Sequence, residues 1–209
     1  ILHSFDDIGY KSKCFDANAA DYGVPQLRKR VFIIGTKHHD VDIEFPPTTH
    51  QKPSNQSDIF GNTLKNWNTV GEAIKNISDE NPNHVKYESA DIVKERMGNI
   101  KPGENKSVLS DDLQPNTNFN NTYGRLNPDK PSFTIHTRFD TPSTGELYHP
   151  FENRALTVRE GARLQSFDDE YILFGNKGSL FRQVGNAVPP KLAKAIGEHI
   201  INIYSHIEE

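Results

Sequence analysis

The sequence runs to 209 residues, enough for one large domain or two small ones. With 34% hydrophobic and 25% charged residues it is polar for a compact fold, so small cores built from its twelve Phe and seven Tyr and joined by polar loops are expected. A net charge of −4 excludes a uniformly basic nucleic-acid binder and leaves only a local basic patch for that role; part of the acidic excess is the closing pair Glu208 and Glu209.

Along the chain, Lys11–Asn18 and Arg30–Thr36 read as two strands of a hairpin, with the polar stretch Ala19–Lys29 as its long tip. The unbroken run Val31-Phe32-Ile33-Ile34 predicts a strand buried on both faces. Phe45-Pro46-Pro47 and the Pro-, Ser-, Asn- and Gln-rich stretch 51–62 mark a linker or the entry to a second module. Thr69 with Glu72 forms a capping box that opens a short helix with Val70, Ala73, Ile74 and Ile77 on one face. A second short helix is expected over Ser89–Met97, then loop through the Asn-rich 116–121. Phe133, Ile135 and Phe139 alternate, which predicts a strand over Pro131–Phe139 with His136 and Arg138 on its outer face. Thr157 and Glu160 make a second capping box, for a helix to about Gln165. Pro189-Pro190 opens a last helix whose stripe is Leu192, Ile196, Ile200, Ile203 and Ile207.

Cys14 is the single cysteine, so there is neither an internal disulfide framework nor a cysteine-rich zinc site. A reducing, cytoplasmic setting is expected, with no metal site, and Cys14 itself reads as a small core or strand residue. Neither a membrane-length apolar run nor a signal peptide is present in the sequence.

Three stretches carry the functional argument. In Gly23-Val24-Pro25-Gln26-Leu27-Arg28-Lys29-Arg30, the residues Gln26, Arg28 and Arg30 alternate, so an extended backbone would put an amide and two guanidiniums on one face. Such a face suits a phosphate or a base edge, although from spacing alone a solvated strand end with ordinary surface arginines is the stronger reading. The second stretch is Leu156-Thr157-Val158-Arg159-Glu160-Gly161-Ala162-Arg163-Leu164-Gln165. The third is Gly185-Asn186-Ala187-Val188-Pro189-Pro190, where Gly-Asn suits a tight turn facing a ligand or a plain helix entry.

In this order, the three stretches closely resemble blocks eight, nine and ten of the DNA (cytosine-5)-methyltransferases, and the variable region between the first two resembles that family's target-recognition segment, ending in Pro131-Ser132-Phe133-Thr134-Ile135. One small departure is Asp168 after Phe167, where the family often has proline. A larger one is that the family's Phe-x-Gly-x-Gly, Pro-Cys and Glu-Asn-Val blocks do not occur here, and Cys14, preceded by Lys13, is not assigned as the nucleophile.

The resemblance implies methyl transfer from S-adenosylmethionine to C5 of a flipped cytosine in a specific double-stranded DNA sequence, as in restriction–modification systems. It implies that Arg30 faces the flipped cytosine, Arg28 holds the DNA backbone and Gln26 supports the same loop. Asn186 and Ala187 would complete the cofactor pocket, whose main binding block is not in this chain. Thr134 would touch a phosphate, and Arg125 would contribute to sequence reading. Arg159, Glu160 and Arg163 are given structural roles, and Trp67 that of a core anchor.

The implied fold is α/β: the carboxy-terminal portion of a Rossmann-like methyltransferase domain plus a smaller mixed target-recognition domain. Residues 1–44 would hold the last strands of the catalytic domain, 45–150 the recognition domain, and 151–209 blocks nine and ten returning to the catalytic domain. Exposed apolar area is expected along Val31–Ile34 or the Leu192–Ile207 stripe unless self-association covers it. Three readings stay open: a truncated enzyme, favoured by Ile1 in place of Met; one subunit of a split enzyme whose partner carries the amino-terminal catalytic half; and a non-catalytic DNA-binding module. The fragment alone is expected to be inactive.

Overall fold

The alternating and β-branched residues at the start of the chain form an antiparallel hairpin. In the computed structural model, which describes residues 1–53 and 64–205, strand β1 (Lys11–Asn18) pairs with β2 (Lys29–Thr36), from Lys11 opposite Thr36 to Asn18 opposite Lys29. A short helix, α1 (Leu2–Asp6), precedes it; no periodic pattern in the sequence marks it. The tip is ordered by a 3₁₀ turn over Ala19–Tyr22 and by Gly23, whose φ of 76° is in the left-handed region that glycine tolerates. The stretch Val31–Ile34 is not buried on both faces: Val31 is 61% exposed and the next three residues are half-buried.

A two-residue parallel contact joins β3 (His50–Gln51) to β4 (Lys65–Asn66). Helix α2 (Val70–Ile74) carries the expected capping box, with Glu72 N–H donating to Thr69 Oγ1 at 3.3 Å and Thr69 N–H donating to Glu72 Oε2 at 3.1 Å. It ends at Ile74, sooner than the apolar spacing suggested, because Lys75 turns extended and Asn76 adopts a φ of 55°. Helix α3 (Asp91–Gly98) falls where the sequence placed one.

Pro131–Phe139 is not a strand. Its one ladder contact among the described residues is a bridge from Ser132 to Gln26, and Phe133 is exposed while Ile135 and Phe139 are buried. Helix α4 (Val158–Leu164) opens with the second capping box. Helix α5 (Lys177–Asn186) was not anticipated; Asn176 caps it by accepting from Ser179 N–H at 2.9 Å. Helix α6 (Pro190–Ser205) is the last, and Ile207, Glu208, Glu209 and the core of the 51–62 stretch lie outside the described residues.

Small separate cores are what the polar composition foretold. The largest joins Val70, Leu126, Ile135, Phe139 and Leu147 to Leu156, Val158, Leu164, Phe181 and Val184. A second packs Leu192, Ala195 and Ile196 of α6 on Ala17, Val24 and Phe32 of the hairpin and on Phe45 beyond it. A third groups Met97, Ile100, Leu109, Leu113 and Tyr148. Apolar contacts cross both expected boundaries. Phe45 stacks with Phe15 and Phe32 of the hairpin, α4 and α5 share the recognition segment's core, and α6 packs its apolar face on the hairpin.

Candidate functional site

The hairpin tip is tied to a segment more than a hundred residues later. Leu27 N–H donates to Ser132 C=O at 2.8 Å, Ser132 N–H donates to Pro25 C=O at 3.0 Å, and Thr134 Oγ1 donates to Leu27 C=O at 2.8 Å. These bonds hold Gln26 and Arg28 inward, against the ends of α4 and α5.

Gln26 is fully buried at this junction. Its Nε2 donates to Leu164 C=O and to Gln165 Oε1, both at 3.1 Å, and its Oε1 accepts from Ile135 N–H at 3.0 Å. Gln165 continues the chain of bonds by donating to Val184 C=O at 2.8 Å. Arg28 is also buried, its two terminal nitrogens donating to Ile135 C=O at 2.9 Å and Gly185 C=O at 3.0 Å. Burial, with Arg30 nearby, brings its pKa down to about 10, still cationic at neutral pH. All three sequence stretches therefore meet at one point.

This placement bears on two expectations. Arg28 is a buried clamp between the 131–139 segment and the end of α5, not an exposed grip on a DNA backbone. Gln26 is a positioning residue with every polar atom engaged, out of reach of a substrate. Only Arg30 of the alternating trio is exposed, and its guanidinium donates just to Lys29 C=O, at 2.7 Å.

Gly185 and Asn186 do not form a left-handed turn; they are the last turn of α5. Glycine is required at 185 for a different reason. A Cβ there would lie 2.5 Å from the backbone of His136 and Thr137, so the helix end and the 131–139 segment approach as closely as backbones can. Asn186 is left exposed at the helix end, with Ala187 half-buried beside it.

Two further residues expected at the DNA have their side-chain donors engaged within the fold. Arg125 is buried, and its five N–H groups reach Ile100 C=O, His149 C=O, Glu152 C=O, Met97 C=O and Asn153 Oδ1, which leaves none for a base edge. Thr134 has given its only hydroxyl proton to Leu27, so it has no side-chain donor for a phosphate. His136 is half-buried and accepts from Arg138 N–H at 3.2 Å, whereas Arg138 is exposed. Cys14 is an exposed strand residue, not a core one.

Beneath α4 lies a buried charge network. Arg154 donates to Glu160 at 2.7 and 2.8 Å and to Glu152 at 2.9 Å. Burial brings His149, beside Glu160, down to about 4, so it is neutral at pH 7. Arg159, fully buried, donates to Asn81, Asn83, Asp168 C=O and Tyr171 C=O, which agrees with a structural role. Trp67 is half-buried and donates to Asp21 at 2.8 Å, anchoring its segment to the hairpin tip. Gln165 was given no role by the sequence; its place in the second stretch was the signal available.

Against known proteins, the family model for C-5 cytosine-specific DNA methylases matches residues 1–202. The type II methyltransferase M1.HphI of Haemophilus parahaemolyticus is 37% identical over 97% of this chain and 51% of its own length. M.BbvI of Brevibacillus brevis is 34% identical over 99% and 53%, so the chain spans about half the length of the curated relatives it matches. Among solved structures, a protein described as a DNA modification methyltransferase of an E. coli prophage superposes with a TM-score of 0.68 at 21% identity, over 97% of this chain and 64% of that one. The S. pombe Dnmt2 methyltransferase gives 0.56 at 12%, over 97% and 61%. These two likenesses concern the fold, of α/β methyltransferase type. No described helix is long and apolar enough to cross a membrane. The chain belongs to the family of C-5 cytosine-specific DNA methylases.

Proposed function

We propose that this chain is the carboxy-terminal part of a DNA (cytosine-5)-methyltransferase acting on a flipped cytosine in a specific duplex sequence. It supplies DNA recognition and one wall of the active site. The observation that carries this reading is the junction at which Gln26, Arg28, Gln165 and Gly185 lock three family blocks together and leave Arg30 and Asn186 exposed.

The target base is taken out of the stack, because its C5 and C6 are inaccessible there. A thiolate then adds to C6, which makes C5 nucleophilic towards the methyl group. Arg30 donates to the cytosine as negative charge builds on it, and a preorganised cation is worth most at that moment. Arg28 and Gln26 act through Arg30 by fixing its strand.

Asn186 and Ala187 fit one wall of a cofactor pocket. The free amide and a small methyl flank the carbonyl end of α5, whose partial negative charge suits a cationic ligand. S-adenosylmethionine would supply the activated methyl group there.

The nucleophile comes from the enzyme's amino-terminal half. Cys14 pairs with Ile33 and Ala17 with Arg30, so Cys14 and Arg30 are on opposite faces of the hairpin. Proposed partners are double-stranded DNA and that amino-terminal half, with self-association in its absence through the exposed Val31 and the 67% exposed Ile201. The test is transfer of labelled methyl to DNA by the chain alone and by the chain joined to the amino-terminal half. Transfer only by the joined form is expected; robust transfer by the 209 residues alone overturns this assignment.

A further inference from the structure

The Asn-rich stretch 116–121 lies between α3 and the 131–139 segment and takes no part in the junction. In it, Phe119 is 75% exposed. An exposed phenylalanine on an unstructured loop would signify little. This one is held at its own peptide group. Its N–H donates to Thr117 Oγ1 at 3.2 Å, and its C=O accepts from Thr122 Oγ1 at 3.0 Å. Both clamps are themselves anchored: Thr122 is buried, and Thr117 C=O accepts from Lys106 Nζ at 2.8 Å. Pro115 is buried at the entry to the turn.

The backbone is thus fixed so that a large apolar ring stands in solvent. Asn116, Asn118, Asn120 and Asn121 surround it, all exposed. From Gln114 to Tyr123 the segment carries no charge, so it is not built to grip phosphates. Aromatic faces stack on bases, and asparagine pairs with the donor and acceptor edge of adenine; an uncharged, amide-rich turn with an aromatic apex combines the two.

We propose that the 115–122 turn enters the target duplex, with Phe119 packing on a base of the recognition sequence and the flanking asparagines reading its neighbours. This rests on the methyltransferase reading above. The two threonine clamps order the turn before binding, so less entropy is lost on contact.

The test uses the complete enzyme. Its methylated sites are mapped on plasmid DNA, and KM and kcat are then measured on the cognate duplex and on duplexes with one base pair changed. Phe119→Ala is expected to raise KM for the cognate duplex by about 5- to 100-fold. It should also relax discrimination at one or two positions, with kcat within about twofold and thermal stability unchanged, as suits a side chain with no packing to lose. Phe119→Trp should retain most of the affinity. Thr122→Val, which keeps the volume but releases the Phe119 carbonyl, should give a smaller rise in KM. An unchanged KM and an unchanged site map for Phe119→Ala overturn the proposal, as does a loss that tracks lowered stability. Absence of methyl transfer by the unaltered enzyme overturns the underlying reading and this proposal with it.

Discussion

Replacing Gln26 with alanine tests whether the junction is structural. The side chain makes three hydrogen bonds from a fully buried position. Its removal strands Ile135 N–H, Leu164 C=O and Gln165 Oε1 where water does not reach. Each buried partner left unsatisfied costs about 1–3 kcal/mol, so three set a floor of about 3 kcal/mol before any cavity is counted. Against a usual domain stability of about 5–15 kcal/mol, that is a large loss. For a chain of this length it corresponds to a fall in Tm of about 6–12 °C. Urea and thermal unfolding of the chain would measure it.

Gln26→Met sharpens the result. It refills the space but offers no polar atom, so it should recover packing and little of the hydrogen-bond deficit. In the complete enzyme, Gln26→Ala should also slow turnover by up to about 10²-fold through displacement of Arg30. A variant less stable than the parent by under about 1 kcal/mol would refute the reasoning, since it would mean that the three partners are readily satisfied elsewhere.

Arg30→Ala should do the reverse: the side chain is exposed and bonded only to its neighbour, so stability should change by under about 0.5 kcal/mol. In the complete enzyme it should cut kcat by about 10²–10³-fold with much less effect on DNA affinity, and equal losses in both would mean that it serves binding alone. Gly185→Ala, tested by urea unfolding, forces a methyl to within 2.5 Å of backbone atoms and should destabilise by about 1–3 kcal/mol or more; parental stability would disprove the close approach. His149 should make the fold acid-sensitive. Its Nδ1 accepts from Phe151 N–H at 3.2 Å and Glu152 N–H at 2.9 Å, and its pKa falls from 6.5 to about 4. Between those values the unfolded chain binds a proton that the folded chain does not, so stability is full above pH 6.5 and declines towards pH 4. The loss is roughly 3 kcal/mol at most; a stability flat across that window would refute it.

Local structure was the legible part of this sequence. Both capping boxes, the hairpin and the proline-started last helix rest on contacts within a few residues, and the structure contains each of them. The strand expected over Pro131–Phe139 failed because alternation describes one buried face and says nothing of a ladder partner. Among the described residues the only bridge partner is Gln26, 106 positions earlier. Ser132, Thr134 and Ile135 are held by bonds to the hairpin tip, His136 and Thr137 lie against the end of α5, and residues 137–139 turn, so no neighbouring strand is needed.

The same blindness explains the arginines. Alternation predicted that Gln26, Arg28 and Arg30 share a face, and a row of polar donors on a strand end invites a ligand. Which donors are free is decided by carbonyls far away in the chain: Ile135 for Arg28, Leu164 for Gln26, Met97 and His149 for Arg125. A buried guanidinium must satisfy its donors or lose stability, so burial turns a candidate contact residue into a brace. Free donors on a fixed backbone then become the mark of a contact residue. Arg30 meets that criterion at the junction, and the asparagines beside Phe119 meet it in the recognition segment. Arg125 resembles them in composition but has spent its donors on the fold, and Arg28 is buried with both terminal nitrogens bonded to backbone carbonyls. Loss of either brace should therefore fall first on stability and only through it on catalysis, whereas loss of a free donor should leave the fold intact.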